Sequence, residues 1–560
     1  MRGRQVLMDS LVAHGAGFIF GNPGTTESPL LDSLSGYPGI QYITALHESV
    51  ATCAASFYAQ ASGKTGIVNL HVAPGLGNAI GMMYGALRST APLIVTAGQQ
   101  DTRIRLKDPV LGHDLVAMAA PVTKWSVQVE RADEMALIMR RAFKIANDAP
   151  AGPVFVALPI DVMEQDTGNS AQPPGESFQA GGLDATGVGV FIRSLLAANR
   201  PVIVCGDDVA RSGAGPVLVR LAEAIGAGVW WEGIRQHVSF PTAHPNARGA
   251  LPLEAGGIAK ALAGADTVLL IGGPFFEDIW HAPGDPFPHG AKILQLEPSP
   301  VRLAHNFSLH AGVAGDLART LHAITVAVAS GATPEFGTAA VARNQALAAL
   351  KEQERLAYRA RAQKAWDRSP ISMPRVMAEI KAALPPQTIL VDETITASLD
   401  LARTFSLGEP GDFTNPGDCY GCRGGGIGQG LAGALGVKIA HPARPVVCLS
   451  GDGSAMYSIQ ALWTAAHHNL GIVFVILANR EYRVLKHNLD IYRQLFDVAS
   501  NRDYPNMDLT GPDLGFVAMA AGMGVTGVAV TIPGEIRPAI EAGLRSGKPY
   551  VVEIAIEGKK

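Results

Sequence analysis

Two hydrophobic rhythms alternate along this chain. Short apolar runs at 17–20, 42–46, 66–70, 92–96 and 153–157 are rich in Val, Ile and Phe and bounded by Gly, Pro or polar residues, so each predicts a buried strand. Between them apolar residues recur at helical spacing: Val6, Leu7, Leu11 and Val12 mark one helix, and another is predicted from Glu48 to about residue 61. Thr25 and Thr26 ahead of Glu27, Ser28 and Pro29 supply a helix cap and an early proline. Pro74-Gly-Leu-Gly-Asn78 turns into a helix of small residues. Strand and helix in alternation predict a doubly wound, parallel α/β domain.

The pattern then repeats twice. Residues 164–183, rich in Gly, Ser, Pro and Gln, read as a surface linker. Strands at 201–205, 267–271 and 292–296, with helices at 217–227 and 257–263, predict a middle, Rossmann-like α/β domain. A charged helical stretch at 341–367 reads as a solvated connector, and the third α/β domain opens with a helix at 376–384 and a strand at 388–391. The expected boundaries are 1–165, 184–330, 331–368 (the connector) and 369–560. A faint repeat relates the ends: helix 6–14 and strand 17–20 lead to Asn22-Pro-Gly-Thr-Thr26, and helix 376–384 and strand 388–391 lead to Asp392-Glu-Thr-Ile-Thr396. Two such units could each hold half of one extended ligand.

Chemistry concentrates in the third domain. The apolar run Val446-Val-Cys-Leu449 delivers Ser450-Gly-Asp-Gly-Ser-Ala-Met-Tyr457, and Ile472-Val-Phe-Val-Ile-Leu477 delivers Ala478-Asn-Arg-Glu481. Both polar groups emerge at the carboxyl ends of parallel strands, where open α/β sheets bind ligands. Gly451 and Gly453 let a ligand approach the backbone, and the amides that follow can hold phosphate oxygens. Asp452 with Asn479 offers the hard oxygen ligands that Mg²⁺ prefers beside a diphosphate.

This pair, with Phe18-Ile-Phe-Gly-Asn-Pro-Gly24 and Asn69-Leu-His-Val-Ala-Pro-Gly-Leu-Gly-Asn78, resembles the thiamine diphosphate-dependent enzymes of the benzoylformate decarboxylase and acetolactate synthase group, over nearly the whole chain. The resemblance implies thiamine diphosphate and Mg²⁺ as cofactors, with Asp452, Asn479 and the Glu481 carbonyl as metal ligands. It implies that Thr394, Thr396, Gly453 and Ser454 contact the diphosphate, and that Ile427 and Gly425 shape and hold the bent cofactor. Tyr457 and Tyr482 would line the same crevice. Glu48 would bond the pyrimidine nitrogen; alone, it would read as a helix-start charge favoured by the dipole. His71 would serve proton transfers at the substrate oxygen, and Thr25, in the place of a serine, would meet the substrate carboxylate. Ile279 stands where the decarboxylase has a second histidine; His281, two residues on, is the candidate replacement.

The implied activity is carbon–carbon lysis of a 2-oxo acid, releasing an aldehyde. The alternatives are an acetolactate synthase-like carboligase, or a non-catalytic cofactor-binding relative. The resemblance also implies a homodimer at least, and a homotetramer by analogy with many relatives. Composition adds exclusions rather than a site. A net charge of −4 across 560 residues gives no reason to expect nucleic acid or an anionic membrane as partner. The start carries no signal-peptide apolar region and no run suits a membrane span, so a cytoplasmic location is expected. Five cysteines, with one C-x-x-C at Cys419 and Cys422 and no second pair, argue against a disulfide framework or a zinc site.

Overall fold

A computed structural model describes residues 1–175, 185–281, 283–408, 418–500 and 503–558, so the predicted linker lies partly outside the described residues. Three parallel six-stranded sheets make the chain α/β throughout. The first holds β1 (Phe18–Gly21), β2 (Gln41–Thr44), β3 (Gly66–Leu70), β4 (Leu93–Gln99), β5 (Trp125–Gln128) and β6 (Pro153–Pro159), in the order β2-β1-β3-β4-β6-β5. The second holds β7 (Pro201–Cys205), β8 (Gly228–Trp231), β9 (Ala247–Ala250), β10 (Thr267–Ile271), β11 (Lys292–Glu297) and β12 (Ala311–Ala314). Its order, β12-β11-β10-β7-β8-β9, is the Rossmann arrangement expected for the middle domain. The third holds β13 (Ile389–Glu393), β14 (Cys419–Tyr420), β15 (Val446–Gly451), β16 (Ile472–Ala478), β17 (Thr526–Val530) and β18 (Tyr550–Ala555), in the order β14-β13-β15-β16-β18-β17. That repeats the order of the first sheet, strand for strand. The weak sequence repeat is thus one of topology.

Central strands β3, β4, β6 and β16 are buried along their whole length, which is why they read as continuous apolar runs. The edge strands β5, β12 and β17 are half-exposed and carry no such run, so the hydrophobic pattern does not announce them. By packing, the chain falls into two compact units: Met1–Ser177, Ser369–Ser398 and Cys422–Lys560 form one, and Phe178–Arg368 with Leu399–Gly421 forms the other.

In the first unit, the helix Glu48–Ser62 lies against the helix Gln429–Ala440. The approach is close because Gly436 has no side chain: a Cβ there would stand 2.0 Å from the Ala54 carbonyl oxygen. The apolar spacing at Ile459, Leu462 and Ala466 does not become one helix after Asp452. Tight turns from Ser454 to Tyr457 and from Ala455 to Ser458 close Asp452–Met456, and a second helix runs over Ala461–His467. In the second unit the predicted connector is one helix, Pro334–Lys364, starting earlier than its charge pattern suggests. Thr333 caps it by accepting the Phe336 N–H at 3.2 Å, and Arg343 donates to the Ile225 carbonyl at 2.9 Å.

Candidate active site

Two hydrogen-bonded groups form in the first unit. One gathers at the carboxyl ends of β1 and β3. Glu48 opens its helix behind the cap residue His47 and is 7% exposed. Its two oxygens accept from the side-chain amides of Asn22, at 3.2 Å, and Asn78, at 3.0 Å. His71 follows β3 at the N-cap position of the helix Val72–Arg88, without a side-chain capping bond. Its Nδ1 lies 2.8 Å from an oxygen of Glu27, whose side chain is wholly buried. Glu27 is itself clamped by the Gly24 and Gly98 N–H groups, each at 2.9 Å, and by the Thr26 hydroxyl at 2.8 Å. A carboxylate so placed accepts, so Nδ1 carries the proton and Nε2 remains for another partner. Thr26, not Thr25, is the hydroxyl in this network; Thr25 is exposed.

The second group sits at the carboxyl ends of β15 and β16. Asp452 is 2% exposed and accepts the Gly453 N–H at 2.8 Å and the Arg480 N–H at 2.7 Å. Burial still pushes its carboxyl above the usual range, a cost that a bound cation would remove. Asn479 accepts the Glu481 N–H at 3.0 Å, so Asp452, Asn479 and Glu481 are drawn together. One carboxylate, one amide oxygen and main-chain carbonyls form a hard oxygen set, which fits Mg²⁺ completed by phosphate oxygens. No cluster of three His, Cys, Asp or Glu side chains that could hold a metal occurs among the described residues. Gly453 lies under the Tyr482 ring, where a Cβ would come within 2.7 Å. Ser454 is buried and Tyr457 is 59% exposed.

Near these, Thr394 is buried and donates to Asp392 at 2.7 Å, while Thr396 is exposed. The turn that carries Gly425 and Ile427 leads into the helix Gln429–Ala440, with open space beside Gly425. His281 is exposed on the loop after β10, in the second compact unit.

Comparison with known proteins identifies the family. Residues 1–118 match the N-terminal TPP binding domain of thiamine pyrophosphate enzymes, residues 190–324 the central domain and residues 394–554 the C-terminal TPP binding domain. A benzoylformate decarboxylase of Pseudomonas aeruginosa is 31% identical over 97% of this chain and 96% of its own length. The chain belongs to the thiamine pyrophosphate enzyme family. Its relatives in this family also include acetolactate synthase isozyme 3 large subunit of Escherichia coli, 25% identical over 100% of this chain and 96% of that one. Among solved structures, the thiamine diphosphate-dependent 4-hydroxybenzoylformate decarboxylase of Rhodococcus jostii superposes with a TM-score of 0.84 at 27% identity, covering both chains fully. The benzoylformate decarboxylase of Polynucleobacter necessarius gives 0.86 at 26% identity, over 100% of this chain and 99% of that one.

Two buried carboxylates of this thiamine pyrophosphate enzyme escape a reading of the sequence. Glu27 looks like a helix-start residue, and only the fold brings His71 to it. Glu393 ends β13 and accepts the N–H groups of Gly428 (2.7 Å), Gln429 (3.0 Å) and Gly430 (2.7 Å), anchoring the turn that carries Gly425 and Ile427. Those donors favour its ionised form, yet full burial outweighs them and raises its carboxyl to about 7. The folded chain therefore holds this proton more tightly than the unfolded chain does, and loses stability as pH rises from about 4.5 to 7. The urea midpoint of the wild type should fall relative to Glu393→Gln between pH 5 and pH 8. Parallel midpoints across that range would contradict the assignment.

Proposed function

We propose that this chain is a thiamine diphosphate- and Mg²⁺-dependent carbon–carbon lyase that decarboxylates a 2-oxo acid, as benzoylformate decarboxylases do. The observation that carries this reading is the pairing of His71, at a strand end, with the buried Glu27, which suits proton transfer in the same compact unit as Glu48. When bound, thiamine diphosphate supplies the electron sink for loss of CO₂. Asp452, Asn479 and the Glu481 carbonyl would hold Mg²⁺ beside the diphosphate; Thr396 and Ser454 would donate to its oxygens, with Thr394 and Gly453, whose donors serve Asp392 and Asp452, lining it. Ile427 and the Gly425 carbonyl fix the pyrimidine end, with Tyr457 and Tyr482 alongside. Glu48 would meet the pyrimidine ring of the bound cofactor, where its carboxylate could share a proton. His71 takes and returns a proton at the substrate oxygen through Nε2, held in register by Glu27. Thr25 offers its hydroxyl to the substrate carboxylate, and His281 is the proposed second imidazole.

The resemblance of the chain to this family implies a cofactor gripped by two copies of the chain. We therefore place the active unit at a homodimer or a dimer of dimers. Full likeness in length to acetolactate synthases keeps carboligation as the second reading. A panel of 2-oxo acids assayed for CO₂ release, with and without an acceptor aldehyde, separates the two, and light scattering on the same samples gives the assembly. Absence of CO₂ release from every acid, with cofactor bound, would end the decarboxylase reading.

One prediction isolates His71. Glu27→Gln should lower kcat about 10²-fold while KM changes little, because a neutral amide no longer fixes the imidazole as its donor partner. A Glu27→Gln enzyme with wild-type kcat would remove His71 orientation from the mechanism.

A further inference from the structure

The turn Asn479-Arg480-Glu481 has to aim several groups at once. The Asn479 side-chain oxygen accepts the Glu481 N–H, and the Arg480 N–H reaches Asp452 at 2.7 Å. Arg480 achieves this with φ at 61°, in the left-handed region that side chains with a Cβ disfavour. Such a conformation persists only where its surroundings over-determine it.

The surroundings here are specific. One guanidinium nitrogen of Arg480 donates to the Leu514 carbonyl, and the other to Glu553 at 2.6 Å. Glu553 lies on β18, is 7% exposed, and accepts the N–H groups of Phe516 and Val517 with its other oxygen. On the opposite side, the Leu509 N–H donates to the Arg480 carbonyl and the Tyr482 N–H to the Met507 carbonyl, each at 2.8 Å. Lys486 joins the side chains of Glu481 and Asp508. The turn is thus stitched to segment 507–514 and to the last strand.

We propose that Arg480, held by Glu553, is a positioning residue for the divalent cation, rather than a surface charge that happens to adjoin it. This rests on the reading of Asp452, Asn479 and Glu481 as the metal set. Arg480 N–H and Gly453 N–H each occupy one side of an Asp452 oxygen, leaving the remaining lone pairs in a fixed direction. Partners that orient metal ligands in this way typically change metal affinity by about 10–100-fold. An ion pair that merely ties β18 to the end of β16 would change melting temperature and leave metal affinity alone.

The test is Mg²⁺ titrated by calorimetry into protein in a fixed excess of thiamine diphosphate, beside thermal melting of the same proteins without Mg²⁺. Glu553→Gln should raise the Mg²⁺ dissociation constant about 10-fold or more. Because Glu553 also anchors Phe516 and Val517, a pair at Arg480 guards against a folding defect. Arg480→Ala should bind Mg²⁺ more weakly than Arg480→Gly by about fivefold or more, since glycine adopts the left-handed turn without strain. Wild-type Mg²⁺ affinity in Glu553→Gln, or equal affinity in the alanine and glycine variants, would overturn the proposal. A wild-type protein that binds thiamine diphosphate equally well without any divalent cation would instead overturn the metal reading beneath it.

Discussion

Glu48→Gln should slow turnover by about 10²–10⁴-fold while weakening cofactor binding only modestly. Thiamine diphosphate is held mainly through its diphosphate and metal in the proposed arrangement, and Glu48 meets only the far ring. Its setting makes the substitution informative. Asn22 and Asn78 each donate an amide hydrogen to one carboxylate oxygen, so glutamine would set its own NH₂ against one of them. That asparagine can turn over to accept instead, so the packing survives and the chemical loss is isolated. The missing property is the carboxylate's capacity to share a proton, so the loss should fall on kcat. Deuterium exchange at the reactive carbon of the bound cofactor, followed by NMR, should slow in parallel. Near-normal turnover with saturating cofactor would reduce Glu48 to a helix-start residue.

Asp452→Ala should abolish Mg²⁺-dependent thiamine diphosphate binding, with a loss in affinity of more than about 100-fold. The carboxylate is the one charged ligand in the proposed set, and it also receives the Arg480 and Gly453 N–H groups. Alanine leaves both donors without that acceptor and frees the turn that carries Asn479 and Glu481. The fold itself should persist, because β15 and β16 are held by a parallel ladder from Val446 and Ile472 to Gly451 and Leu477, and by a buried apolar core. Calorimetry for binding and circular dichroism for fold make the distinction. Unchanged cofactor affinity in a folded Asp452→Ala protein would defeat the metal assignment.

Residues that emerge directly from a buried strand were legible in the sequence. His71, Asp452 and Asn479 follow apolar runs, and a strand that is buried on both faces writes itself as such a run; Glu48 follows the half-exposed β2 and is marked by the helix it opens. The local turn then limits where the next side chain can point. The parallel α/β class was implied by the same alternation, because parallel strands require helical crossovers, while the strand order, which differs between the middle sheet and the outer two, was not.

What the sequence could not carry is anything that depends on which distant backbone arrives. Glu27 reads as a helix-start charge, and becomes a partner of His71 only because β1, β3 and β4 stand side by side and bring Gly98 to it. Thr25 and Thr26 are equivalent by pattern; the single helical turn that follows Gly24 buries one and exposes the other. Glu393 looks like a continuation of its strand, yet it caps a helix that starts far along the chain. Arg480 looks like an exposed charge, yet its left-handed turn carries a guanidinium tied to Glu553 and Leu514, which lie far along the chain. The edge strands β5, β12 and β17 fall in the same class, since their pairing is decided by a neighbour and not by their own apolar content. Sequence determined the elements and the residues at their ends, because burial leaves a periodic mark. Tertiary structure decided the partners of the buried charges, because desolvation makes each one seek whatever donor the fold brings near.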